Sequence, residues 1–96
     1  SDDMFLKSIA LGSIGDSFSE LKQPNEALEY YEKAFNSSEN VYTSPKFLYK
    51  AAIIGSQLGK TRLAIKYLKR IKDEYPDSYE ASFVDVQLGR LENIDN

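Results

Sequence analysis

Residues 11–35 read LGSIGDSFSELKQPNEALEYYEKAF, two apolar stripes at helical spacing parted by a polar turn at Gln23-Pro24-Asn25. The first stripe takes in Phe5, Ile9, Leu11, Ile14, Phe18 and Leu21, the spacing of one buried helix face. Asp2 or Asp3 is placed to cap that helix. Gly12 and Gly15 interrupt it, each at ~1 kcal/mol against alanine, so they predict a close helix contact. A phosphate-cradling loop is the alternative for these glycines, but no strand precedes them. Pro24 suits the first turn of a second helix, about 25–37, with Ala27, Leu28, Tyr31, Ala34 and Phe35 on one side. Glu26, Glu29, Glu32 and Lys33 fall largely on the other, the pattern of a solvated face. The short turn makes the pair an antiparallel hairpin.

Residues 36–44 (NSSENVYTS) form a polar loop with Val41 and Tyr42 embedded in it. Ser44-Pro45 reads as a cap and a first-turn proline for a third helix, about 45–58, that carries Phe47, Leu48, Ala51, Ala52, Ile54 and Leu58. Gly59 stops this helix and Thr61 caps a fourth, about 61–75, with Ala64, Leu68, Ile71 and Tyr75 in its stripe. Pro76 ends it. Asp77 and Glu80 resemble a capping box for a fifth helix, about 78–92, whose apolar residues are Tyr79, Phe83, Val84, Val86, Leu88 and Leu91. The tail from Asn93 to Asn96 is expected to fray.

Shifting the chain by 37 residues superposes the hairpins: Leu11 on Leu48, Ser19 on Ser56, Leu21 on Leu58, Ala27 on Ala64 and Tyr30 on Tyr67. Repetition of helix–turn–helix units at this length predicts stacked units, each burying its face on the next. The residues resemble the tetratricopeptide repeat family. Leu11, Ile14-Gly15, Phe18, Ala27, Tyr31 and Ala34 stand at its spacing in the first unit, with Glu39 where its closing proline would be. The second unit offers Leu48, Ala51-Ala52, Leu58-Gly59, Ala64, Leu68 and Pro76, with Gly55 replacing an aromatic. The step of 37 exceeds the family's 34 and puts three extra residues in the loop near 40–44.

The resemblance implies an all-α, right-handed α-solenoid of five helices in a single domain: hairpins at about 3–37 and 45–75, then a C-terminal capping helix at about 78–92. Phrases such as EALEYYEKAF look most like bacterial members of the family. That likeness leads us to expect the periplasmic side of a cell envelope, with the cytoplasm as the alternative. The chain does not begin with methionine, so we expect a piece of a longer protein.

Composition narrows the chemistry. With no cysteine and no histidine the chain has no thiolate, no disulfide and no imidazole, the usual general base and the commonest metal ligand. No apolar run approaches the ~20 residues that span a bilayer, so direct membrane insertion is not expected. Gly55-Ser56-Gln57-Leu58-Gly59-Lys60-Thr61 nearly spells a phosphate-binding loop, but has three residues between the glycines where that motif needs four. Carboxylates such as Glu29 and Glu32 line a helix surface rather than a cleft, and no cluster has metal-ligand spacing. We therefore expect no catalysis and no cofactor.

Net charge is −3, yet residues 45–72 hold eight basic side chains and no acidic one, while 73–96 hold seven acidic and one basic. Arg62, Lys66, Lys69 and Arg70 share one side of the fourth helix as a basic stripe. A solvated face is the plainer reading of this stripe, and docking of an acidic partner the sharper one. Nucleic acid is not expected, because neither an aromatic platform nor overall positive charge accompanies the stripe.

The resemblance also implies a concave groove lined by the first helix of each hairpin. Matching positions are Ser13 and Asp16, then Lys46, Tyr49, Lys50 and Ile53, with Phe83 and Gln87 added by the fifth helix. Family members that grip a terminal carboxylate need lysine and asparagine here, and Gly12 and Asp16 do not supply them. Asp16 would repel such a group. The expected function is a protein-interaction scaffold that holds an apolar or mildly acidic peptide. The alternative is part of a larger array whose surfaces serve self-assembly, as a homo-oligomer or against upstream repeats, since two hairpins fall short of the ~3 repeats such arrays need.

Overall fold

Pro24 and Pro45 each stand within the first turn of a helix, where no backbone donor is needed, and so fix two of the helix starts. The computed structural model describes residues 2–94, and these form α1 (Asp2–Glu20), α2 (Pro24–Ser37), α3 (Ser44–Gln57), α4 (Thr61–Glu74) and α5 (Ala81–Ile94). Each helix packs on its neighbour in the chain, giving a slab with extents of 44 × 31 × 16 Å. Two helical hairpins and a further helix, with no strand among the described residues, make this an all-α solenoid.

The core runs along the slab. Ala27, Leu28, Tyr31, Ala34 and Phe35 of α2 are buried, as are Phe47, Leu48, Ala51 and Ala52 of α3. Ala64, Tyr67, Leu68 and Ile71 continue it through α4, and Val84, Leu88 and Leu91 close it in α5. Alanines at 27, 34, 51, 52 and 64 are completely buried. Their small side chains let adjacent helices approach while each neighbouring leucine contributes ~1.5–3 kcal/mol.

The first helix departs from the expected face. Its inward residues are Ser8, Gly12 and Gly15, flanked by Leu11 and Phe18, whereas Ile14 is 41% and Leu21 65% exposed. The cause is close approach. A Cβ on Gly12 would lie 2.0 Å from Cζ of Phe47, and one on Gly15 would lie 2.7 Å from Cδ1 of Tyr31. Ser8 is fully buried and donates to the carbonyl of Ala34. Bulky side chains have no room on that side, so they point outward. On α5, likewise, Phe83 and Val86 stay exposed beside the three residues that are buried, as does Tyr79 just ahead of it.

Helix ends shift by small steps from the expected ones. Asp3 lies inside α1 and does not precede it, while the side chain of Asp2 falls outside the described residues. Thr43 and Lys60, rather than Ser44 and Thr61, hold the positions before α3 and α4, and neither forms a side-chain cap. Ser44 instead bonds across the loop, accepting from the N–H of Asn40 at 2.9 Å and donating to the carbonyl of Ser38 at 3.1 Å. Tyr75 leaves α4 and buries its ring in the core. The expected capping box is replaced by the Ser78 hydroxyl, which accepts from the N–H of Ala81 at 3.1 Å, so α5 begins three residues late. Of the tail expected to fray, Asn93 and Ile94 are helical and 95–96 fall outside the described residues.

Both hairpin turns use the same backbone device. After α1, the N–H of Gln23 bonds to the carbonyl of Phe18 at 2.9 Å and that of Lys22 to Ser19 at 3.0 Å. After α3, Lys60 bonds to Gly55 at 2.8 Å and Gly59 to Ser56 at 3.1 Å. This pairing is the Schellman stop, which needs a left-handed residue after the helix. Gly59 provides it at φ +78°, and Lys22 provides it at φ +58° with a side chain in the way. The near-phosphate-loop letters thus spell a helix end.

Candidate functional site

Side chains from α1, α3 and α5 meet along one side of the slab. Asp16, Ser19 and Glu20 of α1 face Tyr49, Lys50, Ile53 and Gln57 of α3 across an open groove of about 610 Å³. The hydroxyl of Tyr31 reaches into it from α2. Asp16 sits at the centre. One of its carboxylate oxygens accepts from the Tyr31 hydroxyl at 2.7 Å and from the Lys50 ammonium at 2.7 Å. From the groove Tyr49 also reaches α5: its ring is 6.2 Å from that of Phe83, and the Gln87 amide donates to its hydroxyl at 3.2 Å.

Burial alone would raise the pKa of Asp16. The bonds from Lys50 and Tyr31, with the positive charges of Lys50 and Lys46, outweigh it and hold the carboxyl below its ordinary range. Burial and the bond to Asp16 push the Tyr31 hydroxyl the other way, well above an ordinary phenol. At neutral pH the site is therefore carboxylate, ammonium and neutral phenol, a locked and locally balanced set. The Lys50 ammonium thus sits directly on Asp16, the residue expected to repel a terminal carboxylate. Both partners are about two-fifths exposed, so the pair contributes at most ~1 kcal/mol to stability. It orients Lys50 more than it holds the fold.

Of the expected groove residues, Asp16, Tyr49, Lys50 and Ile53 line the cavity, whereas Phe83 and Gln87 touch Tyr49 without lining it. Lys46 contributes through its charge on Asp16, with its ammonium 5.9 Å from the Phe47 ring. Ser13 stands exposed on α1 without lining the cavity, and its carbonyl accepts from the Ser17 hydroxyl at 3.2 Å. Helical spacing places Tyr31 in the core and is silent about its polar end. Gly15 is the signal that points to it, because the missing Cβ lets the ring lie close to α1.

The basic stripe divides in two. Arg62, Lys66 and Lys69 are without an ion pair among the described residues. Arg70 is instead folded back: it bonds to Glu39 at 2.6 Å and Glu74 at 2.9 Å, over the Phe35 ring at 5.5 Å. Its cation is spent on joining the loop to α4. Near it, the Tyr67 hydroxyl donates to Glu32, and burial followed by that bond raises its pKa well above the ordinary phenol value.

No three acidic side chains converge to hold a metal ion among the described residues, nor is any of their helices long and apolar enough to cross a membrane. Two models of the tetratricopeptide repeat match the chain, one over residues 9–41 and one over 47–78. They fall on the two hairpins and leave α5 outside. No curated protein and no solved structure matches the chain significantly.

Proposed function

Because the chain belongs to the tetratricopeptide repeat family, whose repeats generally mediate contacts between proteins, we propose that it is a non-catalytic scaffold that binds a partner along the α1–α3–α5 groove. The observation that carries this reading is the continuous line Asp16–Lys50–Tyr49–Phe83. It offers an oriented ammonium, a hydroxyl and two aromatic faces on rigid helices, with the charges nearest the centre already paired. Such a surface suits an extended segment of mixed apolar and mildly acidic character. The acidic groups would meet Lys46 and Lys50, and the apolar ones Ile53 and Phe83. Ordering costs are low, because the fixed side chains do not have to be immobilised on binding.

A photo-crosslinking amino acid in place of Ile53, with a second in place of Lys66 as control, tests the assignment. The reading expects adducts from position 53 that position 66 does not give. Adducts from position 66 alone would sink it.

A second reading, self-assembly or packing on further repeats, has its own support on α1. Leu6 (61% exposed), Ile14 and Leu21 form an outward apolar face with Ala10, so this stretch is apolar on two sides. An apolar stripe along a helix ordinarily faces a packing partner. Sedimentation over a wide concentration range separates the two readings: association abolished by Leu6→Glu and Leu21→Glu favours the second, and a clean monomer removes self-association.

A further inference from the structure

Away from the groove, the connections 38–43 and 75–80 lie at the same end of the slab, where each joins a hairpin to the next helix. Between them is a cleft of about 390 Å³ lined by Val41, Tyr42, Glu74, Tyr75, Pro76 and Asp77. The first wall belongs to the loop that carries the three extra residues of the repeat.

That loop is held in one shape. Asn40 Oδ1 accepts from the N–H groups of Tyr42 at 2.9 Å and Thr43 at 2.8 Å, and its Nδ2 donates to the Thr43 hydroxyl at 2.8 Å. The Ser44 hydroxyl, bonded to both Asn40 and Ser38, ties the two ends together. Yet Val41 is 65% and Tyr42 77% exposed, and the rings of Tyr42 and Phe5 meet in a T-shaped contact with centroids 6.3 Å apart. A scattered exposed apolar side chain needs no explanation, but a fixed loop displaying two of them over a cleft has the shape of a prepared contact.

Charge says what it would contact. Arg70 divides its guanidinium between Glu39 and Glu74, so one cation serves two carboxylates. Asp77 is exposed with no ion pair among the described residues. The rim is therefore net negative around an aromatic and aliphatic floor. A tyrosine ring and an unpaired carboxylate that line one cleft fit a guanidinium, which stacks on the one and bonds to the other. We propose that this cleft docks an arginine flanked by apolar residues on a partner protein, with the guanidinium between Tyr42 and Asp77 and the apolar neighbours against Val41 and Pro76. The site is separate from the groove and stands whether or not the groove reading does.

The test is an amide NMR titration of the chain with acetyl-Leu-Arg-Leu-amide and, in parallel, acetyl-Leu-Glu-Leu-amide. The arginine peptide should shift the amides of Val41, Tyr42, Tyr75 and Asp77 saturably, with a dissociation constant on the order of 1 mM, and leave those of Asp16 and Tyr49 in place. The glutamate peptide should shift none of them. Tyr42→Ala and Asp77→Asn, both at exposed positions, should each weaken binding by about three- to tenfold with the amide spectrum otherwise preserved. The proposal is overturned by an absent response to the arginine peptide, an equal response to the glutamate peptide, shifts confined to the groove, or unchanged affinity in both variants.

Discussion

The two hairpins share a backbone and differ in what their side chains do with it. At positions 37 residues apart, equivalent hydrogen bonds close both turns and open both second helices: Gln23 to Phe18 and Lys60 to Gly55, then Ala27 to Gln23 and Ala64 to Lys60. Yet the residues on that frame are exchanged. Gly12 and Gly15 of the first hairpin answer to Tyr49 and Ala52 of the second, and Asp16 answers to Ile53. The first hairpin uses its small residues to let α1 lie close, and the second places the groove-lining Tyr49 and Ile53 at two of the equivalent positions. A repeat therefore fixes where a side chain stands more firmly than what it is for.

Glycine substitutions break that comparison most sharply. Gly12→Ala drives a methyl into the buried Phe47 ring, so we expect a loss of about 1–3 kcal/mol in urea unfolding despite the better helix propensity of alanine. Gly55→Ala meets only the carbonyl of Lys60 at 3.9 Å, an ordinary contact. It should stabilise the chain by up to ~1 kcal/mol. Equal effects at the two positions would mean that the two first helices are packed alike.

The turns give the next largest difference. Lys22 holds a left-handed conformation that glycine adopts freely, so Lys22→Gly should gain about 0.5–1 kcal/mol. Gly59→Ala should lose about 1 kcal/mol, although nothing lies within 4 Å of its added Cβ, because the left-handed backbone strains any residue that carries one. Thermal unfolding of the two variants should thus move in opposite directions.

The smallest effect belongs to the pair that joins the hairpins. Asp16→Asn removes a half-exposed ion pair and should cost less than about 1 kcal/mol at neutral pH. Its clearer sign is in acid. The carboxyl of Asp16 is held below 3.8 in the folded chain, so its contribution is complete above that value and disappears as pH falls through the folded pKa. The variant should lack this component of acid unfolding. At the alkaline end the sign reverses for Tyr31 and Tyr67: raised above 10.0, they stabilise the fold below that value and lose the contribution as pH climbs through their folded pKa.

Most of the frame is legible in the sequence because α2, α3 and α4 obey the simple rule that large apolar residues face inward. Ala27, Leu28, Tyr31, Ala34 and Phe35 are buried as their spacing requires. The first helix breaks that rule for a physical reason: where two helices approach closely, serine and glycine face inward and isoleucine and leucine face out. Helix starts shift because Ser44 and Thr61, the expected caps, are already the first residues of their helices, and Thr43 and Lys60 ahead of them form no side-chain cap. Within the site, Lys50, Tyr49 and Ile53 can be placed from the repeat register. The bond from Tyr31 to Asp16 and the folding back of Arg70 onto Glu39 cannot, because each joins residues that only the packed helices bring together.

If the groove is the working face, two substitutions on it should abolish what the chain does. The most direct test compares the proteins retained from a native extract by the chain and by its Tyr49→Ala, Lys50→Ala double variant, once equal melting temperatures show that both are folded. We predict that specific partners held by the first are lost from the second, while Lys66→Ala, Lys69→Ala retains them. Identical retention by the groove variant would contradict a working groove.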